Sequence, residues 1–229
     1  MTIKTIHPLF LLVLLLILVS SCSKMNDMHQ MYLDEGEILY AAKLDSVASN
    51  PGKDRIEFEM FALSQRIDKV RIYWNDNNDS LDFAINNEPG IYKHIVPNIP
   101  EGEYIFTFVS FDIYNNRSLG YELTAESFGD LFASRLFNRT IQKLTVDGSE
   151  ATITWRAVGG STIVETVLSY EKSDNSVGEV SVAPFDVSTT LSDIKAGGEF
   201  WYKTLFKPVE NAIDIFESET YNDVFPITD

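Results

Sequence analysis

The sequence predicts an all-β fold made of two tandem β-sandwiches placed behind a lipoprotein signal peptide. Three observations carry this. From Tyr32 onward the chain is a series of short β-rich runs separated by turn residues. One stretch of the first half recurs in the second once a single-residue insertion is allowed. And no segment of that body sustains a helical period, the pattern that an amphipathic helix requires.

The leader comes first. Residues 1–21 hold a single charged residue, Lys4, then the unbroken apolar run Leu9–Val19 and the small pair Ser20-Ser21 before Cys22. A membrane span needs about 20 apolar residues, so this shorter run fits an export signal and not an anchor helix. Val19-Ser20-Ser21-Cys22 resembles a bacterial lipobox, which implies that Cys22 is lipidated and becomes the first residue of the mature chain. Cys22 is also the one cysteine in 229 residues. That rules out a disulfide framework and a cysteine-based metal site, and alkylation would remove an exported lone thiol from oxidation. Residues 22–31 are polar and aperiodic and read as a flexible tether.

Residues 32–126 read as the first sandwich. Strands are expected near Ile38–Val47, Arg55–Leu63, Lys69–Trp74, Ser80–Ile85, Ile91–Val96, Glu103–Asp112 and Leu119–Ala125. The intervening Asn50-Pro51-Gly52, Asn75-Asp76-Asn77-Asn78, Glu88-Pro89-Gly90, Pro100-Glu101-Gly102 and Asn115-Asn116 are residue types that supply the fixed or left-handed backbone angles of turns. Seven short strands at this spacing suit a sandwich. Alternation sends Val70, Ile72 and Trp74 to the same core as Tyr104, Phe106 and Phe108.

Residues 127–139 form the joint, in which Gly129–Phe137 is the one stretch suited to a short helical turn. Residues 140–229 repeat the plan, with strands near Thr140–Val146, Ala151–Ala157, Val164–Tyr170, Val177–Ala183, Thr189–Leu191, Glu199–Phe206 and Ile213–Tyr221. Asn98-Ile99-Pro100-Glu101-Gly102-Glu103-Tyr104-Ile105-Phe106 aligns with Asp193-Ile194-Lys195-Ala196-Gly197-Gly198-Glu199-Phe200-Trp201-Tyr202 after a one-residue insertion. Lys69–Trp74 likewise aligns with Glu165–Tyr170.

The Ile99–Tyr104 turn and the aromatic strand after it resemble the entry to strand F of fibronectin type III modules, which implies that Tyr104 closes the corner. Trp155 stands where such modules carry a strand-B Trp. The first module has Phe61 near that place, which implies a differently packed core. Gly36-Glu37-Ile38-Leu39-Tyr40, Asp45-Ser46-Val47, Pro51-Gly52-Lys53-Asp54-Arg55, Arg71-Ile72-Tyr73-Trp74-Asn75 and Leu136-Phe137-Asn138-Arg139 resemble motifs of a family of Bacteroidota surface lipoproteins of unknown function, over about residues 32–140 and more loosely beyond. That resemblance implies an outer-membrane lipoprotein that keeps company with glycan-capture and uptake systems. It offers no catalytic residues to carry over.

Charge and chemistry narrow the function. The formal net charge is −16, and removing residues 1–21 takes away only Lys4 among charged groups, so the mature chain is still more acidic. Such a body repels nucleic acid and anionic headgroups. His7 falls in the leader and His29 in the tether, leaving His94 as the one histidine of the body. A general base needs a cleft and a partner, and His94 lies in the alternating run Ile91–Val96, where a half-exposed strand residue is expected. Asp76-Asn77-Asn78-Asp79 offers oxygen ligands, but the loop lacks the glycine and closing glutamate of the usual calcium loop and reads as a solvated hairpin turn. No metal and no cofactor is expected.

Aromatic residues are the remaining candidates, because sugar rings dock on exposed aromatic faces. With Phe200, Tyr202, Thr204 and Phe206 turned inward, Trp201, Lys203 and Leu205 face the other way; by the same alternation Tyr73 faces outward. Trp201, Tyr73 and Lys203 are therefore the expected ligand-binding residues, unless the neighbouring module or the joint covers them. The expected function is a non-catalytic cell-surface lipoprotein, held to the membrane through Cys22, that assists glycan capture with polysaccharide or outer-membrane uptake proteins as partners. The alternative is a structural spacer or protein-interaction module of an outer-membrane complex.

Overall fold

The structure, a computed structural model, describes residues 39–158 and 162–227, so the leader, Cys22 and the tether lie outside the described residues. Ala41–Asp229 groups as one compact unit that contains both halves of the repeat.

In the first half, β1 (Ser46–Pro51), β2 (Arg55–Ala62) and β5 (Gly90–Pro97) form a three-stranded antiparallel sheet in the order β1-β2-β5. β3 (Lys69–Trp74), β4 (Asp79–Ala84), β6 (Gly102–Phe111) and β7 (Tyr121–Ser127) form the opposing sheet in the order β4-β3-β6-β7. This is the strand arrangement of a fibronectin type III sandwich. The period-2 alternation of β2 is complete: Ile56, Phe58, Met60 and Ala62 are buried, and the residues between them are half-buried. Phe58 meets Phe106 and Phe108 edge-on, with ring centroids 4.7 Å and 5.0 Å away. Such T-shaped pairs favour one packing arrangement beyond the area they bury.

A short helix, α1 (Asp130–Ala133), leads into the second half. There β8 (Ile141–Asp147), β9 (Glu150–Trp155) and β12 (Ser188–Leu191) form one sheet. β10 (Ile163–Glu171), β11 (Val177–Val182), β13 (Glu199–Phe206), β14 (Phe216–Glu217) and β15 (Tyr221–Val224) form the other, with β14 and β15 both paired to β13. Trp155 of β9 is buried and meets Tyr202 edge-on at 5.3 Å. The repeat is structural as well as textual. Asn98 and Asp193 both take φ 57°, Ile99 and Ile194 behind them are both buried, and β6 and β13 follow.

Several expectations need correction. Among the described residues the first strand starts at Ser46; Ile38, its expected start, lies outside them, and Leu39–Asp45 form no strand. Ala41 donates to the Arg117 carbonyl and Ala42 accepts from the Ser110 hydroxyl, both beside the other sheet, and the backbone turns to β2 only at Asp45, whose N–H donates to the Phe61 carbonyl just before the Ser46–Phe61 pair opens the ladder. Asn50 and Pro51, expected in a turn, close β1; an edge strand tolerates a residue without an N–H. The single strand expected over Ile213–Tyr221 is two short ones, because the Ile213 N–H is drawn away to the Pro51 carbonyl of the first half. Phe61 is half-buried, and the ring that fills the core from β2 is Phe58.

Candidate functional site

Tyr73 and Trp201 lie on corresponding sheets but on non-equivalent strands, Tyr73 aligning with Ser169 and Trp201 with Ile105. Tyr73 sits on β3 opposite Thr107 of β6, half-buried, in a groove of about 340 Å³ lined also by Asn77, Val109, Arg117 and Glu122. Trp201 sits on β13 opposite Ser169 of β10, half-buried, in a groove of about 280 Å³ with Val167, Glu179, Lys203 and Thr220. Each ring is therefore half-covered by strand neighbours and by loop residues, Asn77 and Arg117 at Tyr73 and Thr220 at Trp201. Lys203 is engaged: its ammonium lies 2.6 Å from the Glu217 carboxylate. The structure thus brings Trp201 and Lys203 into one groove and leaves Tyr73 in another.

A larger groove, about 590 Å³, lies beside the Trp201 groove and shares Thr220 with it. Its walls come from the joint (Asp130, Ser134, Phe137, Asn138) and from the β14–β15 segment (Glu217, Glu219, Tyr221). Phe137 is 81% exposed, an unusual position for a large apolar ring. Sequence reasoning passed over this groove because its two walls are some eighty residues apart in the chain.

The joint is held by specific partners. Glu101, ahead of β6, reaches across to α1 and accepts from the Leu131 and Phe132 N–H groups at 2.8 Å and 3.1 Å, satisfying donors that a helix start leaves free. Phe128, Phe132 and Phe216 stack edge-on in a row, 5.1 Å and 5.0 Å apart, linking first half, helix and second half. Asn138 accepts from the Thr204 and Ser218 hydroxyls and donates to the Glu219 carbonyl. Arg139 is buried, with its guanidinium over the Trp155 ring at 5.4 Å and donating to the Ala183 and Asp186 carbonyls. Burial lowers its pKa. The Arg139 carbonyl accepts from the Tyr202 hydroxyl at 2.8 Å, and burial pushes that phenol up to about 12. Within Leu136–Arg139, then, Asn138 and Arg139 brace the groove while Phe137 is presented to solvent.

A second set of contacts fixes one sandwich to the other. Asp214, from the loop after β13, accepts from the Lys53 N–H at 2.7 Å and from Arg55 Nε and Nη2 at 2.9 Å and 2.5 Å. The Arg55 hydrogen bonds hold its carboxyl below the usual range, against the opposing effect of burial. Ile213 N–H donates to the Pro51 carbonyl, and the Asn211 amide to the Ser49 carbonyl. Gly52 completes the fit, because a Cβ there would fall 2.5 Å from Asp214 Oδ2 and 2.8 Å from Ile213 Cγ1. Lys53 also pairs with Asp130 of α1 at 3.3 Å. The Pro51–Arg55 motif, read from sequence only in part as a turn, is a latch between modules.

His94 packs ring against ring on Phe83 at 4.8 Å, and burial alone lowers its pKa. Among the described residues no cluster of three or more His, Cys, Asp or Glu side chains could hold a metal ion. No described helix is long and apolar enough to cross a membrane. Asn75, Asp76 and Asn77 take consecutive left-handed angles in the β3–β4 hairpin, with the Asn75 amide on Asp79.

Residues 22–216 match DUF4998, described as a domain of unknown function. The chain belongs to this family. The match runs well past residue 140, through β13 and the latch, and stops at Phe216 before the last strand, β15. None of the curated proteins matches in sequence. In fold, this DUF4998 chain is similar to the FN1–FN3 domains of chicken CNTN1, at TM-score 0.41 and 13% identity, over 82% of this chain and 65% of that one. It thus spans just under two thirds of the CNTN1 structure. It is also similar to the fibronectin(III)-like modules of Clostridium thermocellum CbhA (TM-score 0.39, 16% identity, 81% of this chain and 93% of that one) and to a two-domain fibronectin type III segment of chicken tenascin (0.33, 11%, 81% and 99%). The sandwich architecture stands on the chain's own sheet order.

Proposed function

We propose that this DUF4998 chain is a non-catalytic lipoprotein of the outer membrane, anchored through Cys22 at the cell surface, and that its joint groove holds an uncharged stretch of polysaccharide during glycan capture and uptake. The observation that supports this most is Phe137, an 81% exposed ring on a braced segment beside a groove of about 590 Å³ rimmed by hydroxyl, amide and carboxylate groups. A sugar offers an apolar face for the ring and hydroxyls for the rim. Asp130, Glu217 and Glu219 line the groove, and among the described residues only Lys53 and Lys203 reach them from outside it, so a polyanionic glycan would be repelled. Trp201, across Thr220, extends the platform.

The test is titration of the purified full chain against arrays of neutral and anionic polysaccharides, with Phe137→Ala, Trp201→Ala and Tyr73→Ala alongside. An aromatic contact is worth about 0.5–1.5 kcal/mol, so Phe137→Ala weakens a neutral ligand by up to about tenfold while Tyr73→Ala leaves it unchanged. Silence of the wild-type chain throughout would refute capture. The latch supports the second reading, a spacer that presents or braces an outer-membrane complex, because two modules fixed by Asp214, Ile213 and Asn211 suit a rigid strut.

A further inference from the structure

The end of the first sandwich where the described unit begins carries a cluster unrelated to the grooves. Three segments converge there. Ala41 donates to the Arg117 carbonyl in the β6–β7 loop, Asp45 accepts from Leu63 after β2, and Asp68 donates its N–H to the Phe111 carbonyl at the end of β6. These contacts make the tip a fixed platform. On it Leu63, Ile113, Tyr114 and Leu119 are all exposed, Tyr114 at 79%. The β6–β7 loop is shaped from within: Asp112 accepts from the Tyr114 and Asn116 N–H groups at 2.9 Å each and from the Asn116 amide, leaving Ile113 and Tyr114 to project.

The charge here departs from the rest of the chain. Lys43, Arg66 and Arg117 balance Asp45, Asp68 and Asp112, so the tip is neutral on a molecule whose net charge is −16. A strongly acidic surface would be held off a bilayer, whereas a neutral one bearing aliphatic side chains and a tyrosine suits the headgroup boundary, where tyrosine's apolar ring and polar hydroxyl are both accommodated. This tip is also the one the leader feeds. Ala41 is nineteen residues after Cys22, a length that cannot reach beyond about 65 Å even fully extended.

We propose that the loop tip bearing Leu63, Ile113, Tyr114 and Leu119 seats in the bilayer interface, setting the long axis of the protein against the membrane. The proposal rests on the anchor at Cys22, and the experiment separates the two. The full lipidated chain carrying Tyr114→Cys is reconstituted into phosphatidylethanolamine–phosphatidylglycerol vesicles. Lipidation of Cys22 leaves the new thiol as the one available for an environment-sensitive dye. A second sample carries the dye at Ser149→Cys, in the β8–β9 turn of the second module. Flotation with the vesicles reads the anchor, and emission reads the tip. The expected result is a floated chain whose dye at 114 is blue-shifted and quenched by doxyl-labelled lipids, while the dye at 149 remains water-like. Adding Ile113→Asp and Leu119→Asp to the labelled chain, with its circular dichroism unchanged, returns the emission at 114 to that of water. A floated chain with water-like emission at 114 overturns the seat and leaves the loops to a protein partner. A chain that does not float overturns the anchor and the seat with it.

Discussion

Replacing Asp214 by alanine asks whether the two sandwiches behave as one body. Its carboxylate accepts three hydrogen bonds from the other module, two from the Arg55 guanidinium and one from the Lys53 N–H, and its side chain is only 20% exposed. Charge-assisted bonds of this kind contribute about 1.5–3 kcal/mol each when shielded. The Arg55 side chain is 41% exposed, so solvent screens the pair and the contributions do not sum; about 2 kcal/mol for the whole latch is the reasonable magnitude. For a body of this size that corresponds to a fall in melting temperature of about 4–8 °C. Calorimetry of the full chain is the assay, with one cooperative transition expected for the wild type and a lowered or split transition for Asp214→Ala. The pH dependence fixes the mechanism. Asp214 has a folded pKa below its unfolded value, so the latch contributes fully above the unfolded carboxylate value, about 3.9, and is lost as pH falls through the folded one. The gap between wild type and variant therefore closes in acid. An unchanged melting temperature, or a gap of the same size at every pH, would refute the latch.

Gly52→Ala should act on the same junction without touching a charge: its Cβ would stand 2.5 Å from Asp214 Oδ2, so the loop must move, and the expected loss of about 1–3 kcal/mol should overlap with that of Asp214→Ala in the double variant. Glu101→Ala removes the carboxylate that accepts from Leu131 and Phe132, costing about 1 kcal/mol; hydrogen exchange at those two amides should quicken well before that of β6, and equal protection in both chains would show that the cap is idle.

Most of the framework was legible in the sequence because it depends on local rules. The strand Lys69–Trp74 has the bounds its alternation dictates, and Glu199–Phe206 buries Phe200, Tyr202, Thr204 and Phe206 as period 2 requires. The short helix Asp130–Ala133 falls within Gly129–Phe137, the one stretch expected to form a helical turn. The departures occur where a distant segment competes for backbone groups. Leu39–Asp45 has strand-forming composition, yet the Ala41 N–H and the Ala42 carbonyl are taken by Arg117 and Ser110; Ile213 has the side chain of a strand residue, yet its N–H belongs to Pro51. Trp201 and Tyr73 were placed on the correct faces by alternation, but Lys203 could not be seen to be engaged, since Glu217 sits on a strand whose bounds were themselves displaced. Phe137 was quoted only as part of a motif, and nothing local distinguishes a presented ring from a buried one.

The extent of the family match acquires a physical reason from the latch. A single fibronectin-like sandwich of about 100 residues is a size that folds alone, and a family defined by one such module could end at the joint. Residues 22–216 instead run through the first module and most of the second, ending just past Asp214. Pro51–Arg55 closes β1 and opens β2, yet its Pro51 carbonyl, its Lys53 N–H and its Arg55 guanidinium all find partners in Ile213 and Asp214. Without the second module those groups would face water, and the two tightest neighbours of a Cβ at Gly52, Asp214 Oδ2 and Ile213 Cγ1, would be gone, leaving Arg55 Cγ at 3.0 Å. Asn138 and Arg139 make the reciprocal case: they follow the first sandwich in the chain, but their side chains bond to Thr204, Ser218, Ala183 and Asp186 of the second. Pro51–Arg55 and Asn138-Arg139 thus serve the junction as much as either core, and the groove at the joint exists only where both modules are present.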